Sequence, residues 1–197
     1  MKKALIINAH QHYEGWAEGS LNQLLVTTAK NSLESLGYQI ITTDVDKGYN
    51  IEQEVNKHVE SDIVIIQTPM YWMATPWIFK KYIDEVFNFG LGSALSKNDG
   101  RSRHEPTKNY GTGGLMQGRK LLISVTLNAP EEAFNEDEFF NGRSVDEVFI
   151  WLHKAYQFNG FTSLEGFSSH DVKKNPSIEN DIERYQRHLD KATSNLM

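Results

Sequence analysis

The 197-residue chain has no cysteine. This excludes a disulfide framework, a thiolate metal site, a CxxC redox pair and an iron–sulfur cluster. Redox chemistry would therefore require a bound organic cofactor, and no metal site is assigned. Long apolar runs are also missing. The N-terminal MKKALIINAH begins like a signal sequence, but its apolar run is only Ala4 to Ile7, too short for a signal core or a membrane span. A soluble, cytoplasmic protein is expected. Basic excess is absent as well: the net charge of −6 argues against wrapping nucleic acid. With no internal repeat, the length suits one well-packed α/β domain over residues 1–197.

What is present is an alternation of strand and helix patterns. Lys3 to Asn8 reads as a short strand. A helix from about Leu21 to Leu36 follows, with Leu21, Leu24, Leu25, Thr28, Ala29, Ser32, Leu33 and Leu36 on one face and Gly37 as its C′ residue. QIITTDV is a strand, IEQEVNKHVES a short helix, and DIVIIQT a fully apolar strand. Continuous rather than alternating apolarity implies a strand covered on both faces, as in parallel sheets. Thr75 and Pro76 are expected to open the next helix as N-cap and N1, and Gly90 to close it. RKLLISVTLN, VDEVFIWLHKAYQFNG, FTSLEGFSS and SIENDIERYQRHLDKATSNL complete the series as strand, helix, strand and helix. The pattern predicts a flavodoxin-like doubly wound α/β fold, with a five-stranded parallel sheet of order 2-1-3-4-5 and helices on both faces.

One segment breaks the rhythm. Residues 90–118 hold seven of the chain's fourteen glycines and show no sustained period. A long excursion inside a compact domain is usually functional or disordered. Lys97, Arg101, Arg103, His104 and Lys108 outnumber Asp99 and Glu105 there. The segment is read as a flap that attracts anionic ligands, with Tyr110 and GTGGL marking a close-packed backbone.

Ligands of open parallel sheets lie beyond the carboxyl ends of the strands, at the switch point. Here that is the meeting place of residues 9–20, 68–75 and 127–135. NAHQHYEG after the first strand is not G-x-G-x-x-G, so a Rossmann dinucleotide site is disfavoured. Asn8 and Gln67 stand where a phosphoacceptor domain would need acids. His10 and His12, then Gly19 and Ser20 leading into a helix at Leu21 and Asn22, offer an anion site, with Ser20 also as a plain N-cap. The stretch DIVIIQTPMYWMATPW gathers large aromatics on a turn. Pro69 forces the chain out of the strand, leaving the N–H groups of Met70 to Trp72 without a ladder. A planar heterocycle beside Tyr71 and Trp72, such as a flavin, would take them up; donors there stabilise the charge of a reduced ring. Trp77 is read as a cap on the core. TLNAP, at the end of the fourth strand, lets a ring approach the backbone.

These residues resemble the modulator of drug activity B family of bacterial NAD(P)H:quinone reductases, relatives of the mammalian NAD(P)H quinone dehydrogenases. The likeness runs over nearly the whole chain, in ALIINAH, LNQLL, DIVIIQTPMYWMATPWIFKKYIDEVF, DGRSRHEPTKNYGTGGLMQGRK, TLNAPEEAF and LHKAYQF. It implies FAD rather than FMN, a homodimer, and two-electron reduction of quinones by NADPH or NADH. By that resemblance the FAD phosphates fall to Ala17, Glu18, Gly19, Ser20, Leu21, Asn22, Gln23 and Leu24. The isoalloxazine falls to Pro69, Met70, Tyr71 and Trp72, with Tyr110 of the flap and Thr126, Leu127, Asn128 and Ala129 also contacting the flavin. His10 joins them from the bottom-up reading. The chain departs from the family pattern with HQH and about one extra residue in place of a basic pair. It also has Met70 and Tyr71 for a small residue and a tryptophan, and Leu127 for a tryptophan.

The expected function is a quinone reductase working by ping-pong hydride transfer through flavin N5, with no side chain assigned as catalytic. The alternative is a flavodoxin-type electron carrier without its own small-molecule substrate. The acidic charge suits a carrier; a covering flap does not.

Overall fold

The structure is a computed structural model describing residues 1–194, so Asn195 and Leu196 of the expected C-terminal helix lie outside the described residues. Strands β1 (Lys3–Asn8), β2 (Gln39–Asp44), β3 (Ile63–Pro69) and β4 (Lys120–Thr126) are parallel in the order 2-1-3-4. The expected fifth strand is split. Thr162–Ser163, β5, pairs with the start of β4, and Phe167–Ser169, β6, pairs with its end. Gly166 marks the break. Its N–H donates to Asp146 Oδ2 at 2.9 Å, and a side chain there would run into Asp146 and the Ile123 carbonyl.

Successive residues of each strand point to opposite faces. Leu5, Ile7, Val64, Ile66, Leu121 and Ile123 pack with Phe79, Tyr82, Phe149 and Tyr156 on one side. Ala4, Ile6, Ile63, Ile65 and Leu122 pack with Leu25, Ala29, Leu33, Tyr185 and Leu189 on the other. Two buried faces account for the unbroken apolar runs. The first layer holds α2 (Ile51–Glu60), α3 (Trp77–Gly90), α4 (Val145–Val148) and α5 (Ile150–Phe158). The second holds α1 (Ser20–Ser35) and α6 (Ile178–Ser194).

Several local expectations are met and several corrected. Gly37 (φ 83°) is the C′ residue of α1: its N–H donates to the Glu34 carbonyl and that of Tyr38 to Leu33, both at 3.0 Å. Leu24 leaves the buried face, 39% exposed, and Val26 enters it. The helix expected over 145–160 is broken at Phe149, whose ring is fully buried, and starts with a Ser144/Glu147 capping box. Helix α3 begins at Trp77 with Pro76 as N-cap, one residue later than expected, because Pro76 is extended (ψ 144°). Trp77 is 62% exposed and does not cap the core. In the flap, a side chain at Gly113 or Gly114 would collide with the backbone of Asn98 or Asn159, so GTGGL is close-packed as expected. Its cations are partly paired: Arg101 bonds Asp99 at 2.6 Å and Lys108 bonds Glu105 at 2.5 Å.

Candidate functional site

The register Asn8↔Gln67↔Ser124 brings the carboxyl ends of β1, β3 and β4 to one level. Under the site lies a buried amide network. Asn8 Oδ1 accepts from Asn22 Nδ2 at 2.5 Å and from the His10 N–H at 3.2 Å, and Gln67 Nε2 donates to Asn22 Oδ1 at 3.1 Å. These bonds pin the first turn of α1 to the ends of β1 and β3. The sequence reading placed Ser20 at the N-cap. Gly19 takes that place, left-handed at φ 81°, and makes no side-chain cap, so Ser20 stands inside the first turn. The N–H groups of Ser20, Leu21 and Asn22 are left open toward the site, as at any uncapped helix start. Glycine is required at 19 twice over, by its φ and because a Cβ would lie 2.7 Å from the His10 ring.

His10 is buried, 7% exposed, whereas His12 is exposed, 3.5 Å from Glu18. Burial pushes the His10 pKa down and His12 adds to this, against the opposing pull of Asp46 and Asp44. His10 therefore presents a neutral imidazole at neutral pH.

The turn after β3 corrects one expectation. The Met70 N–H is not free; it donates to the Thr126 carbonyl at 2.8 Å. Tyr71 and Ala74 exchange two backbone bonds, 2.8 and 3.1 Å, closing a tight hairpin. Within this turn the open N–H groups are those of Trp72 and Met73. Both are left-handed, at φ 49° and 63°, as the centre of a type I′ turn demands. Bulky residues seldom adopt that conformation, and such strain collects at functional sites. Tyr71 is half-buried against Trp16 (ring centroids 5.1 Å), Tyr13 (5.9 Å) and His10 (6.3 Å). Its hydroxyl donates to the Gln11 carbonyl at 3.3 Å, and burial pushes its pKa up to about 12.

After β4, the Leu127 side chain is buried in the core and its N–H donates to the Ser169 carbonyl at 3.0 Å. Val172 N–H returns to the Leu127 carbonyl at 3.2 Å. This zipper carries Lys173 to the mouth, where its Nζ donates to the Trp16 carbonyl at 3.0 Å and lies 5.2 Å from the Trp16 ring centroid.

Together these loops enclose a cavity of about 420 Å³. Of the residues singled out from sequence, His10, Ala17, Glu18, Gly19, Ser20, Leu21, Asn22, Pro69, Met70, Tyr71, Thr126, Leu127 and Asn128 line it. Trp72 and Ala129 line a second chamber of about 340 Å³, which has Met70 and Asn128 in common with the first. Gln23 supports from behind, its Oε1 3.3 Å from Asn8 Nδ2, and Leu24 lies outside. Tyr110 is not brought to the cavity. It borders a larger groove of about 570 Å³ with Trp151 and Phe158, which shares no residue with the switch-point cavity. Convergence of strand-end loops, not size, selects the smaller cavity. Trp16, Val172 and Lys173 were missed. Trp16 lay in the recognised loop, but 157 residues separate it from Lys173 and no local pattern joins them.

A family profile described as flavodoxin-like fold matches residues 2–192. A NADPH:quinone oxidoreductase, MdaB, from Haemophilus influenzae is 46% identical over 179 residues, spanning 90% of this chain and 93% of that one. The chain belongs to the flavodoxin-like NAD(P)H quinone reductase family. Among solved structures, a putative quinone reductase from Klebsiella pneumoniae superposes with TM-score 0.79 at 20% identity, covering 97% of this chain and 85% of that one. The general stress protein 14 of Treponema denticola, in complex with FMN, superposes with TM-score 0.65 at 19% identity, covering 98% and 99%. At those identities the likeness is one of fold. Among the described residues, no helix is long and apolar enough to cross a membrane.

Proposed function

We propose that this chain is a cytoplasmic, FAD-dependent NAD(P)H:quinone oxidoreductase. The observation that carries the reading is the switch-point cavity, with open N–H groups at the start of α1 on one side and the Tyr71–Trp16 aromatic wall on the other. The site fits a flavin. The bare Cα of Gly19 leaves room beside a neutral imidazole, the helix start suits a phosphate, and the Trp72 and Met73 N–H groups are open to a ring edge. A flavin held there would supply two-electron hydride chemistry between a reduced nicotinamide and a quinone, in two half-reactions sharing one place.

The protein binds and orients. The α1 N-terminus and Lys173 supply the positive potential for phosphates. Backbone at Pro69–Tyr71 and Thr126–Asn128 forms the walls against which a ring is held. Tyr71 is not a proton source, since its hydroxyl is already committed to Gln11 and its pKa is high. No side chain is assigned as an acid, which leaves water to protonate the product.

The FAD and homodimer parts of the reading belong together. Tyr110 and the flap lie away from their own chain's cavity, so they reach a flavin only if supplied in trans. A second copy would also cover the exposed Phe89, Leu91 and Trp77 on and beside α3. Flavin released by denaturation and identified by chromatography tests the cofactor, and FMN alone would refute FAD. Steady-state NADPH oxidation with a soluble quinone tests the reaction. Flavin-loaded protein that turns over only with a protein electron acceptor would favour the carrier instead.

A further inference from the structure

We infer that Ser163, His153 and Asp146 form a nucleophilic triad that accepts the acyl group of small uncharged esters. The triad goes beyond the reductase reading and shares no residue with the switch-point cavity or the chamber beside it. Its side chains come from β5, α5 and α4. The Ser163 hydroxyl meets His153 Nδ1 at 2.8 Å, and His153 Nε2 lies 3.1 Å from Asp146 Oδ1. A nucleophile is thus within hydrogen-bond reach of a base, and the base is oriented by a third group. The bonds also decide the tautomer. Asp146 is ionised at neutral pH and can only accept. Its Oδ2 takes the Gly166 N–H at 2.9 Å, and its Oδ1 takes the proton on His153 Nε2. In the neutral ring Nδ1 is then bare, an acceptor for the serine proton.

Burial separates the roles. His153 is buried, whereas Ser163 is exposed on the edge strand of the sheet. An exposed hydroxyl gains little stability from a bond that water could replace, so packing does not account for the pair. On the paired side of β5, the Thr162 and Leu164 N–H groups donate to the Arg119 and Leu121 carbonyls at 2.9 and 2.7 Å. The Ser163 N–H between them faces off the edge, placed to donate to an oxyanion formed at its own residue. A recess of about 260 Å³ adjoins at Asp146, Glu165 and Gly166, with Glu131 also in its wall. Its size and its three carboxylates select a short acyl group without negative charge.

In the reaction, Ser163 Oγ bonds to the ester carbonyl carbon as its proton passes to His153 Nδ1. The bond from that carbon to the alcohol oxygen then breaks, and the alcohol leaves with the proton from Nδ1. Water attacks the acyl-serine by the same route, releasing the acid and restoring the serine. Asp146 touches no reacting atom and is a positioning residue.

The test treats the full-length protein with a fluorophosphonate, from which a serine nucleophile displaces fluoride, and separately with p-nitrophenyl acetate. Mass spectrometry should find the phosphonyl group on Ser163. Ser163→Ala, which alters only an exposed side chain, should hydrolyse the acetate at least about tenfold more slowly. In Asp146→Asn the amide donates to Nε2 and moves the ring proton to Nδ1. Labelling should slow at least about a hundredfold in that variant, with circular dichroism showing it folded. His153→Gln, which lacks the base, should slow labelling as much. A purely structural tie would leave the labelling rate of a folded variant unchanged. The triad would be overturned by no label on Ser163, or by hydrolysis in Ser163→Ala equal to wild type. Labelling at the wild-type rate in Asp146→Asn or His153→Gln would also overturn it.

Discussion

The indole of Trp16 lies 5.1 Å from the ring of Tyr71, tilted by 43°, and so joins the loop after β1 to the turn after β3 across the mouth of the cavity. Lys173 holds Trp16 through both its ring and its carbonyl. The wall of the site is thus assembled from three loops distant in sequence, and each contact is separately testable.

Replacing Trp72 by Ala should leave the melting temperature of the apo-protein essentially unchanged, because the side chain is 90% exposed. FAD affinity should fall about fivefold, the loss of roughly 1 kcal/mol of aromatic contact. Apo melting and flavin titration on the same preparations check this. A large fall in apo stability with unchanged flavin affinity would mean that Trp72 serves packing.

Gly19→Ala should act on both fold and site. A side chain at φ 81° costs about 1–2 kcal/mol, and the added methyl pushes on the His10 ring. The denaturation midpoint should drop, and flavin binding should weaken at least tenfold. Wild-type affinity in this variant would show that α1 does not hold the cofactor.

His58 is buried with Nδ1 donating to the Glu54 carbonyl at 2.8 Å and Nε2 accepting from the Tyr156 hydroxyl at 3.0 Å. Burial lowers its pKa to about 4, outweighing the opposing pull of Glu54. The unfolded chain, with a histidine pKa near ~6.5, takes up the proton first as pH falls. The stabilisation is therefore complete above pH ~6.5 and is lost between there and about 4, amounting to about 3 kcal/mol. Urea midpoints from pH 7 to 4 should fall accordingly, and His58→Gln should be less stable at pH 7 but with a flatter profile. An equally steep profile in the variant would assign the effect elsewhere.

Asp146 ties α4 to the break between β5 and β6. It bonds His153 Nε2 at 3.1 Å and the Gly166 N–H at 2.9 Å, while His153 Nδ1 meets Ser163 Oγ at 2.8 Å. Burial raises its pKa, but those two bonds outweigh it and the carboxyl is held below its usual range. Its contribution is present above pH ~4 and lost as pH falls through the lowered folded value. Asp146→Asn should cost about 1 kcal/mol at pH 7, a modest figure because the carboxylate is partly exposed, and should not affect flavin binding. Hydrogen exchange at the Gly166 amide would localise the loss; unchanged protection there would discount the tie.

The order 2-1-3-4 and the placing of a site at the strand ends were legible because they follow from local signals. Strands such as DIVIIQT are apolar at every position, which only two-sided burial explains, and a parallel sheet then puts all carboxyl ends on one edge. Gly37 was legible for the same reason, since a C′ glycine is a local backbone requirement. The errors fall where one residue's state depends on a distant partner. Ser20 looked like a cap until Gly19 was needed beside His10. Met70 looked unpaired until Thr126 came alongside, and FTSLEGFSS looked continuous until Asp146 claimed the Gly166 N–H. The sequence by itself determined periodicity, turn positions and hence the sheet. Only the tertiary structure decided which side chains share the cavity, that Lys173 reaches Trp16, and that Tyr110 faces another groove. Backbone geometry repeats every two or 3.6 residues and is written locally, whereas a site is a set of long-range contacts closed only when the whole sheet is in register.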